Sequence, residues 1–214
     1  MGETSTRSYS SELRREQVKL TRRRVLDAAG DLFLRQGYLG TTLDAVAATA
    51  GVSLQTVYNV VGGKAKLLRS VYDELVPTDL EPVNRKMLSE PDPRRCLAWY
   101  AVGERVTNER VGSLLMVIHN QAAAGDRDLR AFVESLERDR LATIEAFVRH
   151  LAVRFGLRPG LTTGRAADMV WALTTPEMAD RLVRRRGWEW DQFEAWIAVT
   201  IADALLGCAP DPDY

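Results

Sequence analysis

Residues 45–64, "AVAATAGVSLQTVYNVVGGK", hold two short apolar-patterned segments separated by one glycine and closed by a glycine pair. Thr42 has the side-chain oxygen to cap a helix over Leu43–Ala50, and Ser53 to cap a second over Leu54–Val60. Ala47 is small enough to let the two helices approach closely, and Val52 and Val57 fill the space between them. Gly51 sits where a tight connection demands positive φ, which a residue without a β-carbon adopts at no steric cost. A small residue, a glycine four positions later and a β-branched residue six after that fit a helix-turn-helix. Neither helix has enough apolar area to stand alone, so both must pack on a third. The segment from about Arg14 to Gln36 supplies it, with Val25, Ala28, Ala29, Leu32 and Phe33 along one face at three- and four-residue steps. Gly37 is its expected stop, and Lys64 opens a further helix.

Outward from this core the pattern stays helical, with no alternating strand signal. Residues 1–12 are polar and rich in Ser and Thr, and read as a loose arm. After Pro91 and Pro93 come "DPRRCLAWYAVGERVTNE", "GSLLMVIHNQAAAG", a long helix near Arg127–Phe155, "TGRAADMVWALTT", "PEMADRLVRRRG" and a last helix near Trp190–Leu206. The tail "CAPDPDY" is expected to fray. The expected fold is all-α: an N-terminal three-helix helix-turn-helix domain over 13–72, and a larger helical bundle over 73–214.

The chain of 214 residues is formally neutral, but the charge is unevenly placed. Residues 1–72 carry 11 Lys/Arg and 6 Asp/Glu, whereas residues 73–214 carry 18 and 23, so a basic module joins an acidic remainder. An architectural protein coating any DNA would be basic throughout, which this chain is not. The two cysteines, Cys96 and Cys208, are far apart and suggest neither a disulfide framework nor a zinc site. The N-terminal segment lacks the apolar core of a signal peptide, and no apolar run would cross a bilayer, so a cytoplasmic protein is expected. An enzyme is not expected: His119 and His150 are the only histidines, and no HExxH, GxSxG or phosphate-binding glycine loop is present. No cofactor or metal is expected.

The stretch "RRVLDAAGDLFLRQGYLGTTLDAVAATAGVSLQTVYNVVGGKAKLL" resembles the N-terminal DNA-binding domain of the TetR family of transcriptional regulators, sharing the "AA…LF…GY…TT" run, "AGVS", "TVY" and Lys64. The resemblance covers about a fifth of the chain. It implies that the helix from Leu54 is the recognition helix, with Gln55, Thr56 and Asn59 as base readers. Gln and Asn amides can pair with adenine edges, and a Thr methyl can touch a thymine methyl. It further implies phosphate contacts from Thr42, Tyr58 and Lys64, with the backbone N–H groups behind Thr42 and Ser53 open to an anion. Arg22 and Arg23, within the basic set Arg14, Arg15, Lys19, Arg22, Arg23 and Arg24, are candidates for phosphates or a minor groove; a solvated helix face is the plainer reading of such a run. The sequence departs from the family where Val60 replaces a His or Tyr, Val61 a Phe, Gly63 a capping Ser or Asn, and Gln55 a small residue.

For the remainder, the resemblance implies a homodimer, a double-stranded operator as partner and a small-molecule effector that shifts the protein out of its DNA-binding conformation. Pocket candidates are Trp99, Tyr100, Met116, His119, Asn120, Phe147 and Trp171, residue types that are more often plain core. Dimer-interface candidates are the stripes Ala166, Met169, Val170, Leu173 and Phe193, Trp196, Ile197, Thr200, Ile201, Leu205. They would form a four-helix interface unless the protomer's own core claims them. The alternative to a DNA-reading repressor is a helical interaction or ligand-binding protein with a diverged helix-turn-helix that reads no DNA.

Overall fold

A computed structural model describes residues 4–123 and 125–207, with side chains from Arg15 onward. Arg14, Cys208 and the tail expected to fray therefore lie outside the described side chains. The described residues form helices and no strands: α1 (Thr4–Gly40), α2 (Leu43–Ala50), α3 (Leu54–Val61), α4 (Lys64–Leu75), α5 (Glu81–Ser89), α6 (Pro93–Ala122), α7 (Arg127–Phe155), α8 (Thr163–Leu173), α9 (Pro176–Ala179) and α10 (Trp190–Leu206). After α9 the coil widens to π-type over Asp180–Arg185.

Two differences from the sequence pattern have physical causes. The first helix starts at Thr4, so residues 4–12, expected as a loose arm, continue α1; no Gly or Pro interrupts the chain between Glu3 and Ala29. Its far end breaks at Gly37, which takes φ 77. The apolar segment from Gly112, read as a separate element, is instead the second half of a 30-residue α6. Gly112 is buried in mid-helix, with the Arg184 guanidinium packed within 3.5 Å of where a β-carbon would sit.

The apolar interior has two parts. One joins α1–α4 through Val25, Ala29, Phe33, Val46, Val57, Leu67 and Leu68, and it takes in Leu114, Ile118 and Ala122 from the end of α6 with Leu129 from α7. The small domain is thus welded to the larger one. Gln121 reinforces the join: its Oε1 accepts the Leu39 N–H at 3.0 Å, and its amide lies where a β-carbon on Gly37 would collide. The other part packs α6, α7, α8 and α10 around Leu97, Val148, Leu151, Val170, Phe193 and Ile197. Arg105 pairs with Glu194 at 2.6 Å and Arg94 with Asp203 at 2.9 Å, tying α6 to α10.

Candidate nucleic-acid interface and adjoining cavity

The expected turn is built as its residues require. Gly51 takes φ 64, ψ 42, and the Val52 N–H returns to the Ala47 carbonyl at 3.0 Å, closing α2 with a left-handed cap. Thr42 Oγ1 accepts the Ala45 N–H and Ser53 Oγ accepts the Thr56 N–H, both at 3.1 Å. Each such cap is worth about 1 kcal/mol. α3 buries Val57 and Val61 and turns its other side outward. On that outer side Gln55 Nε2 donates to Asn59 Oδ1 at 2.9 Å, so the two amides form one exposed pair a helical turn apart. Thr56 is half-buried beside Ser53, and Tyr58 is 49% exposed. Gln55, Tyr58 and Asn59, together with the exposed caps Thr42 and Ser53, make a single polar face over two neighbouring helix starts.

Several cationic groups already have partners. Lys64 is half-buried, its Nζ 4.3 Å from the Tyr38 ring centroid and 3.4 Å from the Leu39 carbonyl oxygen. Burial lowers its pKa, with Asp126 opposing. Burial, with Asp126 and Asp128, pushes the Tyr38 phenol up to about 12. Arg22 donates to the Val60 carbonyl at 3.1 Å and to Ser70 Oγ at 3.2 Å, joining the end of α3 to α4. Arg24 donates to the carbonyls of Ala50 and Gly51, closing the same turn that Gly51 forms. Arg23 is the open one, with a loose 3.8 Å pairing to Asp27 on an exposed face. The clamp role of Arg22 and Arg24 spans 26 to 48 positions of sequence, and no local pattern announces it. The N-terminus of α4 has no side-chain cap, because Gly63 stands there.

A cavity of about 390 Å³ opens where α4 meets α6, α7 and the start of α9. Arg69, Tyr72, Asp73 and Val76 reach it from α4; Glu104, Asp139 and Arg140 are its main charged groups from the larger domain. None of the seven pocket candidates lines it. Tyr100 stacks on Phe147 at 4.4 Å within the core, Trp99 lies under Lys86, and Asn120 is exposed. Met116 is half-buried, and Trp171 sits at the surface with its N–H on Glu137 at 2.8 Å. His119 is bracketed by carboxylates, Nδ1 2.9 Å from Glu177 Oε1 and Nε2 3.7 Å from Glu137 Oε1. Tyr100 and Phe147 went to the packed core, and the cavity is lined instead by polar residues interleaved with apolar ones and the Tyr72 ring. Glu104 is the group to note. Burial raises its pKa, which Arg140 and the neighbouring Tyr100 partly offset. Tyr100 Oη is itself buried with no hydrogen-bond partner. Among the described residues, no cluster of three or more His, Cys, Asp or Glu is placed to hold a metal. No described helix is long and apolar enough to cross a membrane.

The dimer stripes are likewise claimed by the protomer. Ala166, Val170, Phe193, Ile197, Ile201 and Leu205 are all fully enclosed and have no surface to offer a second chain. Met169, Leu173, Trp196 and Thr200 are half-buried. The apolar residues facing outward on these helices are Trp171, Ala172, Ala195 and Val199, with Val199 58% exposed.

A capped two-helix corner with an exposed amide pair on its second helix, joined to a larger helical bundle, has the form of a helix-turn-helix domain followed by a second helical domain. Residues 25–71 match the tetR family of bacterial regulatory proteins. The chain is 29% identical over 179 residues to the HTH-type transcriptional regulator TtgR of Pseudomonas putida, spanning 80% of this chain and 82% of that protein. It is 42% identical over 55 residues to TtgW of the same organism, an uncharacterized HTH-type transcriptional regulator, there spanning 26% of this chain and 41% of the relative. In fold it is similar to NalD of Pseudomonas aeruginosa, the secondary repressor of the MexAB-OprM multidrug efflux pump, with a TM-score of 0.67, 23% identity, and coverage of 89% of this chain and 98% of that one.

Proposed function

We propose that this protein is a cytoplasmic, sequence-specific transcriptional repressor that holds a palindromic operator as a homodimer and is released from it by a small molecule. One observation carries the reading: the exposed Gln55–Asn59 amide pair on the outer side of α3, flanked by the capped starts of α2 and α3. Both amides can exchange their mutual bond for donor–acceptor pairs on adenine in a major groove. The two helix starts and Tyr58 are suited to phosphates, which set register without carrying sequence. A single helix-turn-helix grips weakly, and two-fold pairing lets two copies read two half-sites. The surface offered for that pairing is the outer face of α8 and α10 around Trp171, Ala195 and Val199, with the half-buried Met169 and Thr200 at its edge.

Release follows from α4 being shared. Its Leu67, Leu68 and Val71 belong to the core around α3, while Arg69, Tyr72, Asp73 and Val76 face the cavity. A molecule that fits better with α4 displaced draws the population toward that state, and Arg22 carries the displacement to the end of α3. The coupling is reciprocal, so operator must weaken the ligand by the same factor. Selection of bound duplexes from a random pool at about physiological salt, where non-specific binding is weak, tests the reading. Recovery of a palindrome is the expected result. No enrichment would leave the helix-turn-helix without a duplex to read and would favour the non-DNA alternative.

A further inference from the structure

The charged groups around the cavity do not balance. Asp73, Glu104 and Asp139 face it, against Arg69 and Arg140. Arg69 is occupied by Asp73, Nε to Oδ1 at 2.9 Å. Arg140 points its Nη2 to the Trp171 carbonyl at 2.9 Å and to Thr174 Oγ1 at 2.7 Å. Its Nη1 lies 3.6 Å from Glu137 Oε2. Among the described residues, no Lys, Arg or His nitrogen comes within 4 Å of the Glu104 or Asp139 carboxylate. Arg140 acts on Glu104 only across a longer gap and is shared with Glu137. Behind this wall Glu137 and Glu177 bracket His119, adding acid rather than base to the surroundings. Tyr72 contributes an aromatic ring to the same lining, and Leu115, Leu136 and Val76 contribute apolar surface.

We propose that this cavity takes an organic cation: a mainly apolar molecule whose ammonium group is held by Glu104 and Asp139, with the Tyr72 ring as a further wall. The inference rests on the reading of the cavity as the effector site. Of the two, Glu104 is the one kept from water and is relieved by a cation brought beside it, while the exposed Asp139 adds like charge, and an aromatic face attracts the cation through its quadrupole. An anionic ligand would meet both carboxylates; Arg69 is held by Asp73 and Arg140 Nη2 by Trp171 and Thr174, which leaves Arg140 Nη1, 3.6 Å from Glu137 and without a hydrogen bond, as the one guanidinium nitrogen such a ligand could address. The apolar lining supplies most of the contact, and the two acids select the charge.

The test uses the full-length protein and three probes built on one 3-(4-hydroxyphenyl)propyl scaffold. They end in trimethylammonium, in the isosteric tert-butyl group, or in carboxylate. Titration calorimetry is expected to show the cation binding at least tenfold more tightly than the tert-butyl compound. Glu104→Gln should remove most of that preference and leave the tert-butyl affinity unchanged. Asp139→Asn, at an exposed position, should reduce the preference in the same direction. A tert-butyl or carboxylate probe that binds as tightly as the cation overturns the proposal, as does a preference untouched by both variants. If none of the three binds, the cavity is not a ligand site and the proposal falls with its premise. If the cation is preferred but leaves operator affinity unchanged, the charge class stands and the release mechanism falls.

Discussion

Gly51→Ala isolates the turn on which the DNA-facing corner depends. Gly51 holds φ 64, where an alanine costs about 1–2 kcal/mol. The new β-carbon would also lie 2.8 Å from an Arg24 guanidinium nitrogen, so Arg24 must move off the Ala50 carbonyl it closes. A partly exposed charged hydrogen bond of that kind is worth about 1 kcal/mol. Together the substitution should cost about 2–3 kcal/mol, a fall in Tm of about 5–10 °C for a chain of this size. Far-UV circular dichroism through heat and urea unfolding reads it directly, at one fixed protein concentration because association alters apparent stability. The Arg24→Ala background separates the two causes. There the alanine meets no guanidinium, and its cost should shrink by about 1 kcal/mol, leaving the backbone part. A neutral or stabilising Gly51→Ala would refute the left-handed turn. Full additivity of the two substitutions would refute the Arg24 contact.

Three further outcomes follow from single sites. Gly63→Ser, at an N-cap with φ −84 and open space around it, should raise stability by a few tenths of a kcal/mol, read by urea unfolding. Arg23→Gln should lower the salt slope of operator binding by about 0.9 if Arg23 neutralises a phosphate, while neutral Thr42→Ala should weaken binding with the slope unchanged. Because burial raises the folded pKa of Glu104 above its unfolded value, its charged form opposes folding above that folded pKa. The penalty is relieved as pH falls through the folded pKa toward the unfolded one. Glu104→Gln should therefore stabilise the protein at neutral pH, with the gain shrinking on acidification; a gain that grew on acidification would reverse the assignment.

The corner was legible because its chemistry is local. Thr42, Gly51 and Ser53 each act within four residues, and the structure places them as their side chains dictate. The Gln55–Asn59 pair was legible as a polar face for the same reason. What spacing could not disclose was who meets whom across the chain. Arg22 and Arg24 read as members of a basic run and turn out to hold the corner together. The charged stripe carrying Asp139 and Arg140 has the periodicity of a solvated helix face, and only the approach of α4 turns it into a cavity wall. Aromatic residues were the natural pocket candidates, yet Tyr100 and Phe147 stack in the interior because burying their area there stabilises more than lining a gap. The stripes on α8 and α10 are wide enough for a core and an interface, and the protomer takes the central positions first.

The central claim is that α3 reads base edges, and a specificity cycle on the selected duplex tests it most directly. Affinities of the wild type, Gln55→Ala and Asn59→Ala are measured for every single base-pair change in one half-site. The account predicts that each variant loses about 1–3 kcal/mol on the parent duplex and loses discrimination at one position, leaving the others intact. Variants that bind more weakly but keep the full pattern of base preference, or that bind unchanged, would contradict it.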